Sequence, residues 1–353
     1  MSGDFTPGKG KLACIITQAR GGRVEAGTTI PPREGPYYIP MSESFSGLAA
    51  ARRSSQAAVF APVRMRCLVF FCLLSLATLF TTTTAAAALP LRVFVSVAPE
   101  KTFVTRVGGQ RVQVAVMVQP GSSPHTYEPT PRQITALADS DLYFRVGVPF
   151  ERSWMQRIRS MNPRMKVVDL REGLPPRNGA DHRHLGAKHE PSLQDFHIWT
   201  SPRRVISMAA RIRDALTDLD PAGADAYEAN YQAFVVDLRA LDTEIRNVLA
   251  GLSNRRFLVF HPAWGYFADE YGLQQIAIEV GGKTPGAAAL GRLIKWAKRE
   301  EIHTIFVQRQ HSSAPALAVA QALDARIIRV DPLAEDYAPS LLHLARSLQE
   351  ALR

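Results

Sequence analysis

The most constraining feature of the sequence is one long amphipathic pattern at residues 221–252. Apolar side chains recur there at steps of three and four residues, the spacing of one face of an α-helix. They are Tyr227, Tyr231, Phe234, Leu238, Leu241, Ile245, Leu249 and Leu252. Asp220 as N-cap and Pro221 suit the start of a helix, and Gly251 suits its end. The pattern predicts a single helix about 50 Å long, at about 1.5 Å per residue.

Strand and helix patterns alternate on both sides of this helix. The predicted strands before it are residues 91–97, 112–118, 142–146 and 165–170. Those after it are residues 257–260, 275–280, 302–308 and 325–330, and a final helix covers residues 339–352. Alternation of this kind predicts parallel sheets covered by helices. We therefore expect an α/β fold of two lobes, residues 89–220 and 253–353, joined by one long rigid helix. The alternative is a long surface helix of a single domain.

An apolar run at residues 67–79 precedes the first lobe. It follows Arg64 and Arg66, and threonines and alanines continue from it to Ala88, as in a secretory signal with a small-residue cleavage zone. The run is too short for a membrane span of about 20 residues. We expect residues 65–88 to be a signal peptide and residues 1–64 to be an artefactual or disordered extension. The mature protein would then be exported, soluble and periplasmic.

Composition limits the chemistry of the mature chain. The three cysteines lie at positions 14, 67 and 72, so a chain that starts near Leu89 has no thiol for a disulfide or a cysteine-based site. The net charge is +10, but no dense basic run is interleaved with aromatic residues, which disfavours nucleic acid as a partner. We expect a monomer.

Polar side chains follow three of the predicted strands. His125, His261 and Asp331 come after apolar strands, and His197 lies in a loop of the first lobe. Ligands of open α/β sheets bind beyond the carboxyl ends of the strands, so these side chains are candidates for a site in the cleft between the lobes. Three imidazoles and one carboxylate form a tetrahedral set that suits zinc. Taken singly, each histidine is more often a solvated loop residue, and Asp331 alone is typical of a turn.

The segments around these residues carry a family resemblance. Residues 120–130 (PGSSPHTYEPT), 195–202 (DFHIWTSP) and 261–267 (HPAWGYF) resemble the three histidine motifs of the metal-binding solute-binding proteins of ABC transporters, the zinc/manganese cluster. Residues 331–333 (DPL) resemble the last-ligand segment of that family. The resemblance covers residues 91–353 in the expected order.

That resemblance implies a two-lobed receptor that captures a divalent cation in the periplasm and delivers it to a membrane permease. It implies His125, His197, His261 and Asp331 as the metal ligands. Manganese-selective relatives tend to have a carboxylate at the third position, so His261 favours Zn²⁺ as the transported ion. Manganese, or a mixture of divalent metals, is the alternative.

Departures from the family pattern leave several roles open. His311 lies near the expected cleft and either competes with Asp331 or replaces it, and water is a third alternative for the fourth ligand. The loop at residues 174–193 contains His182, His184 and His189, which either bind a second metal weakly or are incidental solvated residues. Asp195 and Glu128 are candidates to orient the imidazoles, as metal-bound histidines require.

An enzyme is a distant alternative. A zinc hydrolase needs three protein ligands, an open position for water and a carboxylate base, for which Glu279 or Glu128 is available. No His-Glu-x-x-His pattern supports that alternative. For a binding protein, we expect tight zinc capture at neutral pH and loss of zinc as the histidines protonate at about pH 6.

Overall fold

The computed structural model describes residues 89–178, 194–279, 283–310 and 313–353. The predicted extension at residues 1–64, the signal peptide at residues 65–88 and all three cysteines lie outside these segments. His182, His184, His189 and His311 also lie outside them. None of the described helices combines the length and apolarity that crossing a membrane requires.

The first lobe contains a parallel sheet of four strands in the order β2-β1-β3-β4. The strands are β1 (Leu91–Val95), β2 (Val112–Val116), β3 (Leu142–Arg145) and β4 (Lys166–Asp169). The helices between them are α1 (Ala98–Gly108), α2 (Pro131–Ala138) and α3 (Pro149–Met161). The central strands β1 and β3 are largely buried, whereas the edge strands β2 and β4 are half-exposed, as expected for a sheet covered on both faces.

Two short strands, β5 (Arg177–Asn178) and β6 (Gln194–Asp195), pair antiparallel on the two sides of residues 179–193. After them the chain forms α4 (Pro202–Leu219) and then α5 (Ala224–Val248). Helix α5 packs on α1 and α4 of the first lobe and on the C-terminal helix of the second. It therefore contacts both lobes.

Helix α5 is shorter than the predicted helix at residues 221–252. It has 25 residues, and a 3-10 turn at Pro221–Gly223 precedes it. The predicted N-cap, Asp220, does not cap the helix, because its carboxylate accepts hydrogen bonds from Arg111 Nε at 2.7 Å and from Tyr227 Oη at 2.6 Å. The helix ends before Gly251, whose φ is +72°. The apolar stripe is buried as predicted, although Tyr231 is half-buried.

The second lobe repeats the same construction with strand order β10-β9-β7-β8. Its strands are β7 (Arg256–Val259), β8 (Gln274–Ala277), β9 (Thr304–Val307) and β10 (Arg326–Arg329), all parallel. Its helices are α6 (Gly265–Glu270), α7 (Ala287–Arg299), α8 (Ser313–Leu323) and α9 (Tyr337–Leu352). The predicted α/β fold of two lobes with parallel sheets is confirmed.

One apolar core runs through both lobes. It includes Phe103 of the first lobe, Trp199 of the segment after β6, and Trp264 and Tyr337 of the second lobe. The Trp199 indole donates to the carbonyl of Pro332 at 2.7 Å, and the Tyr337 hydroxyl donates to the carbonyl of Trp199 at 2.8 Å. A smaller core lies between the second sheet and helices α7 and α8. The lobes are therefore packed together by buried side chains as well as by α5.

Candidate metal centre

Three of the four predicted ligands converge at the carboxyl ends of the strands. His125 lies in the loop after β2, His197 follows β6, and His261 follows β7. Each offers one ring nitrogen, and the three nitrogens all lie within 4.8 Å of one another. The Nε2 atoms of His125 and His261 are 3.3 Å apart. His197 and His261 are buried, at 7% and 4% exposed, and His125 is half-buried.

The local chain explains how His125 reaches this cluster. Gly121 adopts a φ of +84°, which allows the sharp turn after β2 that the sequence predicts. The backbone N–H of His125 then donates to Ser123 Oγ at 3.3 Å, and the carbonyl of Pro124 accepts from Phe150 N at 3.3 Å. The turn is thus anchored to α3, and the His125 ring packs against Phe196.

His197 is oriented by Asp195. The Oδ1 atom of Asp195 accepts from His197 Nδ1 at 2.8 Å and from His197 N at 3.0 Å. Burial opposes ionisation of Asp195, but the hydrogen bonds from His197 and the charge of Arg177 outweigh it, so the pKa of Asp195 lies below its usual value. An ionised carboxylate only accepts, so Nδ1 carries the hydrogen and Nε2 has a lone pair for a metal ion.

His261 has an equivalent partner in Glu279. The Glu279 Oε2 atom lies 2.8 Å from His261 Nδ1, and the carboxylate is buried. Gln308 Nε2 also donates to the carbonyl of His261 at 2.8 Å. From the sequence, Glu279 was a candidate only for the base of a hydrolase, and its orienting contact with His261 was not predicted. Its position just after the apolar strand β8 is the same signal that pointed to His261 after β7.

Asp331, the predicted fourth ligand, does not belong to the histidine cluster in the described part of the chain. Its Oδ1 atom accepts from Gln310 Nε2 at 2.8 Å and from Leu333 N at 2.9 Å. The second bond closes a turn of the type that aspartate commonly forms with its own backbone two residues on. Asp331 lines a small cavity with Trp199 and Trp264 instead. Three histidines assemble in this structure without Asp331, and a role for Asp331 as the fourth ligand stays a prediction.

Glu128, the other predicted orienting residue, is exposed to solvent. Its carboxylate is thus in a different environment from those of Asp195 and Glu279, which are buried beside a histidine. An orienting role for Glu128 stays a prediction.

The assembled donor set suits a borderline-soft divalent cation. Three imidazoles can supply nitrogen ligands in their neutral form, and buried carboxylates fix the orientation of two of the rings. Such a set fills three positions of a tetrahedron and is typical of zinc. Because protons compete for the same nitrogens, metal binding at such a cluster would depend on pH.

Comparison with known proteins agrees with this geometry. Residues 93–351 match the family model for ZnuA, the zinc-uptake complex component A, periplasmic. The zinc-binding lipoprotein AdcA of Streptococcus pneumoniae is 27% identical over 246 residues, which are 67% of this chain and 48% of AdcA. A putative metal-binding protein of Chlamydia muridarum is 28% identical over 261 residues, 73% of this chain and 91% of that protein.

This chain therefore spans about half the length of the AdcA relatives that it matches. Among solved structures, a crystal structure of ZnuA has 37% sequence identity and a TM-score of 0.70, and the match covers 75% of this chain and all of the ZnuA chain. The family model accounts for both lobes and for the segments that carry all three clustered histidines. The chain belongs to the ZnuA family of periplasmic zinc-uptake components.

Proposed function

We propose that this protein captures Zn²⁺ with high affinity in the periplasm and delivers it to the membrane permease of an ABC transporter. The observation that carries the proposal is the convergence of His125, His197 and His261 within 4.8 Å of one another. The protein acts as a binding receptor and not as an enzyme, and it works as an exported, soluble monomer. Zinc is its cargo.

The proposed ligands are the ring nitrogens of the three histidines. The all-nitrogen set supports zinc over manganese, because manganese prefers carboxylate oxygens. The two carboxylates beside the rings, Asp195 and Glu279, keep Nδ1 of His197 and His261 engaged and leave Nε2 for the metal ion. Asp331 completes the set only if its carboxylate leaves Gln310 and Leu333.

The test is a competition titration of zinc against a chromophoric chelator, on purified protein without an affinity tag. We expect His197→Ala to lower zinc affinity by orders of magnitude, since one of three nitrogen ligands is lost, while circular dichroism shows an intact fold. The matched control is His303→Ala, which removes an exposed histidine and leaves the affinity unchanged. Unchanged zinc affinity in His197→Ala would remove this residue from the ligand set.

The same titration separates the remaining alternatives. Asp331→Asn should cost less affinity than His197→Ala, because the carboxylate is held by Gln310 and Leu333 in the structure. A loss as large as that of His197→Ala would instead make Asp331 the fourth ligand. Manganese bound more tightly than zinc would overturn the assignment of the cargo.

A further inference from the structure

An arginine of the first lobe joins the orienting carboxylate of His197 to the second lobe. The Arg177 guanidinium donates from Nη1 to Asp195 Oδ2 at 3.3 Å. Its Nε and Nη2 atoms donate to the two carboxylate oxygens of Asp269, in α6, at 2.7 and 3.2 Å. We name this arrangement of Arg177, Asp195 and Asp269 the Arg177 bridge.

The bridge bears directly on a proposed zinc ligand, because Asp195 has two oxygens and both are in use. Oδ1 accepts from the backbone and the ring of His197, and Oδ2 accepts from Arg177. A carboxylate bound at one oxygen alone can still rotate about its Cβ–Cγ bond. Here the guanidinium opposes that rotation from the other side, and Asp195 is almost fully buried, with 3% of its side chain exposed.

Two residues at the start of α6, in the second lobe, lie directly against the bridge. A Cβ atom on Gly265 would lie 2.3 Å from Arg177 Nη1 and 2.4 Å from Asp195 Oδ2, so a larger residue at this position would displace the bridge side chains. The neighbouring Tyr266 hydroxyl accepts from Arg177 N at 3.0 Å and donates to the carbonyl of Asp195 at 3.2 Å. The start of α6, four residues after His261, thus holds both the side chain and the backbone of the bridge.

We propose that Arg177 is a positioning residue for zinc binding. It fixes the position of the Asp195–His197 pair relative to the second lobe, where His261 lies. The inference rests on the proposed function, since it requires His197 to be a zinc ligand. Arg177 is suited to the role because its planar fork binds Asp269 through two nitrogens and still reaches Asp195 with a third. A lysine carries the same charge but has no such fork.

The first experiment compares Arg177→Met, Arg177→Lys and Arg203→Met by zinc competition titration and by the rate of zinc release. Arg203 is the matched control, because it joins the two lobes through Glu270 at 3.2 Å and, within the described segments, forms no hydrogen bond or ion pair with Asp195. We expect Arg177→Met to weaken zinc binding about tenfold. This is the smaller end of the loss of metal affinity that follows when the hydrogen-bond partner of a metal ligand is removed. Arg177→Lys should recover part of that loss, and Arg203→Met should bind zinc like the wild type.

A second experiment distinguishes positioning from a general loss of stability. Co²⁺ in place of zinc reports ligand geometry through its visible absorption bands, and we expect these bands to change in Arg177→Met but not in Arg203→Met. Gly265→Ala should weaken zinc binding without removing any polar group, because the added methyl displaces the guanidinium. Gly291→Ala is its control, since a Cβ there meets no atom within 4 Å.

Wild-type zinc affinity and cobalt spectrum in Arg177→Met would overturn the proposal, and so would an equal loss in Arg203→Met. If Arg177→Met does not fold, Asp269→Asn is the variant to measure, with the same expected loss and the same overturning result. Failure of the zinc ligand assignment is separate from these outcomes, because it appears as unchanged affinity in His197→Ala.

Discussion

At the residue scale, both buried histidines of the cluster face a buried carboxylate through Nδ1. His197 pairs with Asp195 and His261 with Glu279, each at 2.8 Å. A carboxylate in this position selects one tautomer of the ring and raises its basicity, which strengthens a bond from Nε2 to a metal ion. His125 comes from a turn and is the most exposed of the three. The two buried rings thus form the oriented part of the cluster.

A second kind of buried carboxylate lies away from the cluster, at the N-terminal end of α1. Glu100 is fully buried, and its Oε2 accepts from Ser96 N and Val97 N, each at 2.9 Å. Its Oε1 has no hydrogen-bond partner within the described segments. Burial raises the pKa of Glu100 well above its usual value, and the nearby charge of Glu151 adds to the shift.

This raised pKa predicts a pH dependence of stability. The folded protein holds the Glu100 proton more tightly than the unfolded chain does, so the free energy of unfolding falls as pH rises above the ordinary glutamate pKa. Glu100→Gln keeps an acceptor for Ser96 and Val97 and cannot ionise. We expect the melting temperature of Glu100→Gln relative to wild type to increase between about pH 5 and pH 8. A constant difference over that range would contradict the prediction.

At the element scale, one glycine inside a helix and one glycine after a helix differ in backbone conformation. Gly291 lies inside α7 in helical conformation, whereas Gly251 follows α5 with a φ of +72°. A Cβ atom at either position would meet nothing within 4 Å. The two sites therefore differ in backbone conformation and not in available space.

This contrast predicts opposite effects of the same substitution. Gly291→Ala should stabilise the protein by about 0.5–1 kcal/mol, because alanine loses less backbone entropy in a helix. Gly251→Ala should destabilise it by roughly 1–2 kcal/mol, because an L-residue is strained in the left-handed region. Chemical denaturation of both variants measures the two free energies. Equal signs would show that the left-handed turn after α5 is not retained in solution.

At the scale of the whole molecule, the lobes share one buried core. Trp199 and Tyr337 belong to this core and are linked to each other and to Pro332 by hydrogen bonds across the lobes. Helix α5 also packs on helices of both lobes. Separating the lobes would expose apolar surface, which costs about 25 cal/mol per Å².

We therefore expect little closure when zinc binds. Small-angle X-ray scattering of the zinc-free and zinc-loaded protein should give nearly superimposable profiles, because the shared core opposes rotation of one lobe against the other. A clear decrease in the radius of gyration on adding zinc would show that the lobes hinge. Arg203→Met provides a comparison, since it removes an ion pair between the lobes without changing the core.

The sequence by itself determined the elements and the approximate place of the site. The spacing of apolar residues and the positions of turn residues located the strands and helices to within a few residues. The alternation of strands and helices implied two parallel sheets. Ligands of open α/β sheets bind beyond the carboxyl ends of the strands, so the histidines after β2 and β7, one in each lobe, were expected in the cleft between the lobes, and they lie together in the structure. Asp195 was predicted as a candidate to orient an imidazole, and it contacts the His197 ring.

Only the tertiary structure decided which polar groups meet. Asp220 does not cap α5, because Arg111, more than 100 residues earlier, binds its carboxylate. Asp331 is held by Gln310, Glu279 orients His261, and Arg177 reaches Asp269 on the other lobe. The local pattern of apolar and polar residues indicates the conformation of a segment and the face that it buries. The partner of a charged side chain depends on how distant segments pack, and that information is present only in the folded chain.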